Sequence, residues 1–113
     1  MRLAISGYRN FHDYLAFKNI LDQYVIDEII VGDATGADAL ARKYSLEELG
    51  KLATVHYADW DRYGNSAGPI RNGKILDDNP DLVIAFLHAN SRGTKRMIEQ
   101  AGSRGFQVIV VGI

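Results

Sequence analysis

The residues best placed to do chemistry are Ser91-Arg92-Gly93-Thr94. They follow an apolar run, Asp81-Leu82-Val83-Ile84-Ala85-Phe86, and open a stretch from about Gly93 to Ser103 with helical spacing. A strand that turns into a helix N-terminus holds anions well. Free backbone N–H groups and the positive end of the helix dipole converge there. Gly93 lets an oxygen-rich group approach the backbone, Ser91 and Thr94 offer hydroxyls, and Arg92 offers a fork of donors. The same four residues would also make a simple turn with Ser91 as N-cap. Three other loops add polar side chains. Gly7-Tyr8-Arg9 follows a first apolar run. Gly32-Asp33-Ala34-Thr35-Gly36-Ala37-Asp38 follows a second. Gly68-Pro69-Ile70-Arg71-Asn72 follows a third, after a long segment holding Trp60 and Tyr63.

These loops must be positioned by regular elements, and the periodicity supplies them. Arg2 to Ser6, Glu28 to Val31, Leu52 to Tyr57, Asp81 to Phe86 and Phe106 to Val111 read as strands. Tyr14, Phe17, Leu21 and Tyr24 recur at helical spacing behind Asp13, a suitable N-cap. Ala37, Leu40, Ala41 and Tyr44 mark a second helix, ended by Gly50. A third runs from Pro69, in the place of a first helical residue, to Asp78, and Asn79-Pro80 stops it. A fourth presents Met97, Ile98 and Ala101 on one face and breaks at Gly105. Strands and helices thus alternate throughout one α/β domain, residues 1–113. Continuous apolar strands predict a five-stranded parallel sheet covered on both faces, a Rossmann-like three-layer arrangement. Right-handed crossovers leave the strand order 3-2-1-4-5, with 2-1-3-4-5 as the alternative. In the first order, strands one and four are neighbours. The switch point then lies between Gly7-Tyr8-Arg9 and Ser91-Arg92-Gly93-Thr94, where ligands of such sheets bind.

Net charge is −1, so no global field draws the chain to nucleic acid or to a membrane surface, and basic chemistry must be local. Arg9, Arg71 and Arg92 would gather at one edge, which suits a phosphate-bearing ligand. Arg71, in the first turn of the expected helix, opposes the dipole there and points to function. Asp33 follows a strand end and suits ribose hydroxyls or water activation. Asp38 is placed to complement the dipole of the second helix. Tyr8, Trp60 and Tyr63 suit either base stacking or core packing. Cysteine is absent, which excludes disulfides, thiolate zinc sites and a cysteine nucleophile. His12, His56 and His88 lie on separate elements, so no metal site is expected; His88 alone lies near the fourth loop. There is no Gly-x-x-x-x-Gly-Lys-Ser/Thr loop, no Gly-x-Gly-x-x-Gly after the first strand and no Gly-x-Ser-x-Gly elbow. No carboxylates follow the first strand, unlike a phospho-accepting receiver. No apolar run approaches a membrane span, and the N-terminus reads as a strand rather than a signal peptide. The expected setting is the cytoplasm.

Taken together, Gly7-Tyr8-Arg9 with Phe11, Gly32 to Asp38, Trp60, Ala67-Gly68-Pro69-x-Arg71-Asn72 and Ser91-Arg92-Gly93-Thr94 resemble the SLOG superfamily, closest to its YspA-like (cpYpsA-related) branch. That superfamily comprises Rossmann-like domains that bind nucleotides and nucleotide-derived molecules. It includes the lonely-guy phosphoribohydrolases, molybdenum-cofactor carriers, the DprA proteins and sensor domains that read NAD-derived signals. The resemblance implies a domain that binds a nucleoside phosphate, an ADP-ribose-like molecule or a cyclic nucleotide signal as sensor, carrier or sequestering protein. It implies a homodimer or higher homo-oligomer and no bound cofactor. Ser91 to Thr94 would take the place of the phosphate loop, and Arg71 that of the lonely-guy arginine. The phosphoribohydrolases carry a catalytic glutamate three residues after the Gly-Thr threonine; here that position is Met97. Glu99 lies about 200° around the helix from it and should face away. An N-glycosidic hydrolase remains the alternative, with Arg71 on the phosphate and Asp33 as the catalytic carboxylate. A non-catalytic interaction module is a third reading. A single-stranded nucleic-acid role, as in DprA, is opposed by the near-neutral charge.

Overall fold

The computed structural model describes residues 1–113. In order, its elements are β1 (Arg2–Gly7), α1 (Tyr14–Leu21), β2 (Glu28–Gly32), α2 (Ala37–Glu48), β3 (Thr54–His56), α3 (Trp60–Tyr63) with a 3₁₀ turn at Gly64–Ser66, α4 (Ala67–Asp77), β4 (Leu82–Leu87), α5 (Arg92–Ser103) and β5 (Val108–Gly112). The five strands form one parallel sheet in the order β3-β2-β1-β4-β5. That is the favoured expectation, and it discards 2-1-3-4-5.

Side chains alternate across each strand, and the register keeps like faces together. Leu3 lies opposite Ile29 on one side and Leu82 on the other. With Ile5, Val31, Ile84 and Phe86 they meet Phe17 and Leu21 of α1 and Ala41 and Tyr44 of α2 in one apolar core. Ala4, Ile30 and Val83 point the opposite way, onto Ile75 and Leu76 of α4 and Met97 and Ala101 of α5. The sheet is therefore buried on both faces, which is why its central strands read as continuous apolar runs. Residues that follow β1 cover one face, and residues that follow β4 cover the other. The connections that leave the carboxyl ends of these paired strands therefore run to opposite faces and leave a crevice between them.

Boundaries differ from the sequence expectations for local reasons. α1 stops at Leu21, a turn before Tyr24, because Gln23 and Tyr24 donate to Ile20 and Leu21 in tighter i→i+3 turns. β3 is only Thr54–His56, since those three residues are the ones that pair with β2. The segment after it contains α3 and the 3₁₀ turn where a loop was expected; the Asp59 side chain caps α3 by accepting from Arg62 N at 3.1 Å. α4 starts two residues before Pro69, which still falls in the first turn, where its missing N–H costs nothing. No helix is long and apolar enough to cross a membrane.

Candidate functional site

The crevice at the carboxyl edge is a cleft of about 580 Å³ lined by residues from all four loops. Of the residues singled out from sequence, Gly7, Tyr8, Arg9, Asp38, Trp60, Gly68, Arg71, Ser91, Arg92, Gly93 and Thr94 line it. The structure adds Asn65, Asn90 and Arg96 as polar lining. Arg96 had a legible signal: it lies four residues after Arg92 and so shares its helix face.

The first loop is fixed by backbone contacts. Tyr8 N–H donates to Phe86 O at 3.0 Å, and Ala37 N–H donates to Tyr8 O at 3.1 Å. The Tyr8 ring stacks on His88 with centroids 4.2 Å apart. His88 itself is outside the lining; its Nδ1 accepts from Asn90 N–H at 3.1 Å. Gly36 has φ +69°, and a Cβ there would lie 2.3 Å from the Arg9 carbonyl carbon. Gly36 therefore seats the second loop against the first and lies outside the cleft lining. Thr35 is likewise structural: its hydroxyl donates to Arg9 O at 2.9 Å.

At the fourth loop, Ser91 stands at the N-cap of α5 but does not cap it. Its hydroxyl turns back, donating to His88 O and accepting from His88 N–H at 2.9 Å. The first-turn N–H groups of α5 are left without a side-chain partner, beside Arg92 and Arg96. This is an anion-ready helix end. Gly93 has open space around its α-carbon, so close approach is free.

Two expected positions behave differently. Asp33 does not line the cleft. It accepts from Arg71 Nη1 at 3.0 Å and weakly from Ala58 N–H at 3.4 Å. It therefore holds the Arg71 guanidinium in place from outside the lining. Arg71 is the fifth residue of α4, past the first turn, so the dipole argument for it fails and its ion pair with Asp33 replaces it. Asn72 is buried away from the cleft: it donates to Gln100 Oε1 at 3.1 Å, and Gln100 donates to Pro69 O, tying α4 to α5.

Asp38 is the carboxylate that reaches the cleft. It is 5% exposed, and Ala34 N–H donates to its Oδ2 at 3.2 Å. Burial pushes its pKa up to about 6, against the opposing pull of the Arg71 and Arg42 charges and the Ala34 hydrogen bond. Gly32 lies beneath it and contributes space: a Cβ there would come within 2.7 Å of Asp38 Oδ2. Arg42 braces this loop by donating to Gly32 O and Ala34 O. Trp60 remains 54% exposed among the lining residues, close to Gly68. It is thus no core residue. Met97 is fully buried in the second core, and Glu99 is exposed on α5 outside the lining, as its helical angle requires. The cleft thus sets four arginines against one recessed carboxylate, with an indole at its rim.

No protein-family model matches the chain, and no solved structure matches it. The Gene 61 protein of Mycobacterium phage D29 is 31% identical over 88 residues, which cover 74% of this chain and 70% of the relative. This chain belongs to the family of that phage protein.

Proposed function

We propose that the domain binds a phosphate-bearing, nucleotide-derived small molecule in the cleft between β1 and β4, as a sensor, carrier or sequestering protein. The observation that supports this most is the uncapped N-terminus of α5 beside Arg92 and Arg96, at the switch point of a parallel sheet. A phosphate there satisfies orphan N–H groups and offsets guanidinium charge together. Trp60 offers a flat apolar face for a base. The resemblance to the SLOG superfamily points the same way, and a homo-oligomer belongs to that reading. Binding is favoured over hydrolysis because Asp33 is engaged by Arg71, and Met97 supplies no carboxylate at the position where the phosphoribohydrolases carry one.

The test is incubation of the pure protein with AMP, ADP-ribose, NAD and cyclic nucleotides, followed by denaturation and mass spectrometry of the released molecules. A ligand returned intact supports a binder. Free base with ribose phosphate would establish an N-glycosidase instead. No retained ligand, and no rise in melting temperature at a hundredfold excess over a micromolar Kd, would favour an interaction module. Binding of that strength stabilises by about 2.7 kcal/mol.

A further inference from the structure

Two recessed polar side chains open into the cleft, and each has a polar atom with no partner in the chain. Asp38 is 5% exposed and Thr94 3%, and both line the cleft. Asp38 spends Oδ2 on the Ala34 N–H, and its Oδ1 accepts nothing. The Thr94 hydroxyl makes no hydrogen bond either. Neither atom is sealed in the core, as the unpartnered Tyr14 Oη and Arg71 Nε are, so both can be reached from the cleft. They belong to opposite faces of the sheet. Asp38 lies in the first turn of α2, which packs Ala37, Ala41 and Tyr44 on one face. Thr94 lies in the first turn of α5, which packs Met97 and Ala101 on the other. Only the end of β1 stands between the two turns. A Cβ on Gly7 would lie 2.5 Å from the Cβ of Ala37 and 2.8 Å from that of Phe86, near the end of β4. β2 and β4, which lead into the two helices, flank β1 and are thus two strand spacings apart, about 9.6 Å. A phosphoryl group hydrogen-bonded on both sides spans roughly 8 Å. One such group is therefore of a size to meet both helix ends. The ends differ in charge. α2 carries its own anion, Asp38, whereas α5 has no acidic residue in its first turn and begins beside Arg92 and Arg96. Among the arginines of the cleft only Arg71 has an ion-pair partner. An anion therefore settles on α5 and meets Asp38 across the cleft. Ionised, Asp38 repels it; protonated, Asp38 donates to it.

We propose that a phosphoryl group bound at the N-terminus of α5 accepts from the Thr94 hydroxyl and shares a proton with Asp38 Oδ1, so that the site takes up one proton with its ligand. This deepens the reading of the cleft as a nucleotide-binding site and rests on it. The charged groups that face Asp38 are Arg71 of α4, Arg42 of α2 and Asp33 of the loop before α2. The two arginines favour the ionised carboxylate, and burial and Asp33 oppose it, leaving a pKa of about 6. The second ionisation of a phosphate monoester lies near the same value, about 6. Near that pH, the ligand and Asp38 supply the shared proton themselves. At higher pH it must come from solvent. An anion placed opposite Asp38 raises the carboxyl pKa further, so binding and protonation reinforce each other.

The experiment is titration of the wild-type chain at pH 6, 7 and 8 with AMP and with adenosine 5′-sulfate, whose sulfate ester does not titrate in that range. Calorimetry and the fluorescence of Trp60, the single tryptophan, give the affinities. Calorimetry in two buffers of different ionisation enthalpy gives the protons taken up. Both esters are expected to bind roughly 10- to 50-fold more weakly at pH 8 than at pH 6, with about one proton taken up at pH 8. Charge attraction alone predicts the reverse for AMP, which gains negative charge over that range, and no change for the sulfate. Asp38→Asn should hold the sulfate affinity within about twofold across the three pH values and let AMP bind more tightly as pH rises. Constant affinity of the wild type for the sulfate ester would overturn the proton coupling and leave the nucleotide site standing. So would a loss at pH 8 that persists in Asp38→Asn, which would point to His88, stacked on Tyr8 outside the lining. No binding of either ester at any of the three pH values would overturn both readings.

Discussion

Asp38→Asn should stabilise the protein at neutral pH, and by an amount that depends on pH in a defined way. The native pKa of Asp38 is raised from 3.8 to about 6. The fold therefore favours the protonated acid. The stability this group allows is fully present below its unfolded pKa and is lost as pH rises through the folded one. A tenfold difference in proton affinity between the folded and unfolded chains is worth about 1.4 kcal/mol, so ionised Asp38 costs about 3 kcal/mol at pH 7. At pH 4 the same linkage leaves well under about 1 kcal/mol. Asparagine keeps an oxygen for the Ala34 N–H and removes the buried charge. Its amide meets Arg71, a donor, and forfeits part of the gain. The expected net stabilisation at pH 7 is about 1–3 kcal/mol, or roughly 4–12 °C in Tm for a chain of this length. Urea unfolding followed by Trp60 fluorescence and circular dichroism, on both proteins at pH 4 and pH 7, measures it. A gain of equal size at the two pH values would refute the reasoning. So would a variant that loses more stability at pH 7 than at pH 4.

Three further outcomes follow from the same geometry. Gly36→Ala should cost at least about 2 kcal/mol and loosen the first loop, because the residue sits at φ +69° with its Cβ position against the Arg9 backbone; chemical denaturation measures it. Met97→Glu restores the carboxylate of the phosphoribohydrolases at that position, yet it should unfold or severely destabilise the chain without conferring nucleotide hydrolysis, since Met97 is fully buried between α5 and the sheet; thermal melts and product analysis test both halves. Arg92→Ala combined with Arg96→Ala should leave Tm within about 1–2 °C, as expected for exposed side chains. It should weaken AMP binding about tenfold and flatten its salt dependence, read by calorimetry at two ionic strengths.

The sequence carries most of the architecture because local patterns fix it. Leu3-Ala4-Ile5 and Val83-Ile84-Ala85 are apolar on both faces, which only a doubly covered sheet requires. Asp13 and Gly50 mark the start of α1 and the end of α2 where periodicity places them. The α3 turn was not legible: four residues beginning with a largely exposed Trp60 have no apolar period, and only the Asp59 cap betrays them. Within the site, loops that leave the carboxyl ends of parallel strands must share one edge, so the arginine-rich lining was readable from order alone.

Which carboxylate lines that edge was not readable. Asp33 and Asp38 lie in one glycine-bounded loop, and by residue type either suits a sugar hydroxyl. Arg71, 38 residues away, comes down from α4 and takes Asp33 as its partner. The turn at Gly36 lifts the chain onto the first loop and leaves Asp38 recessed beneath the cleft. Asn72 reads as a site residue beside Arg71, but the next position on a helix points about 100° away, into the α4–α5 contact. By itself, then, the sequence determined the main strands and helices, narrowed their order in the sheet to two arrangements and placed the polar loops along one edge, because periodicity and chain connectivity are local or topological. Only the tertiary structure decided which side chains face the cleft and which hold one another, because that depends on contacts between residues far apart in the chain.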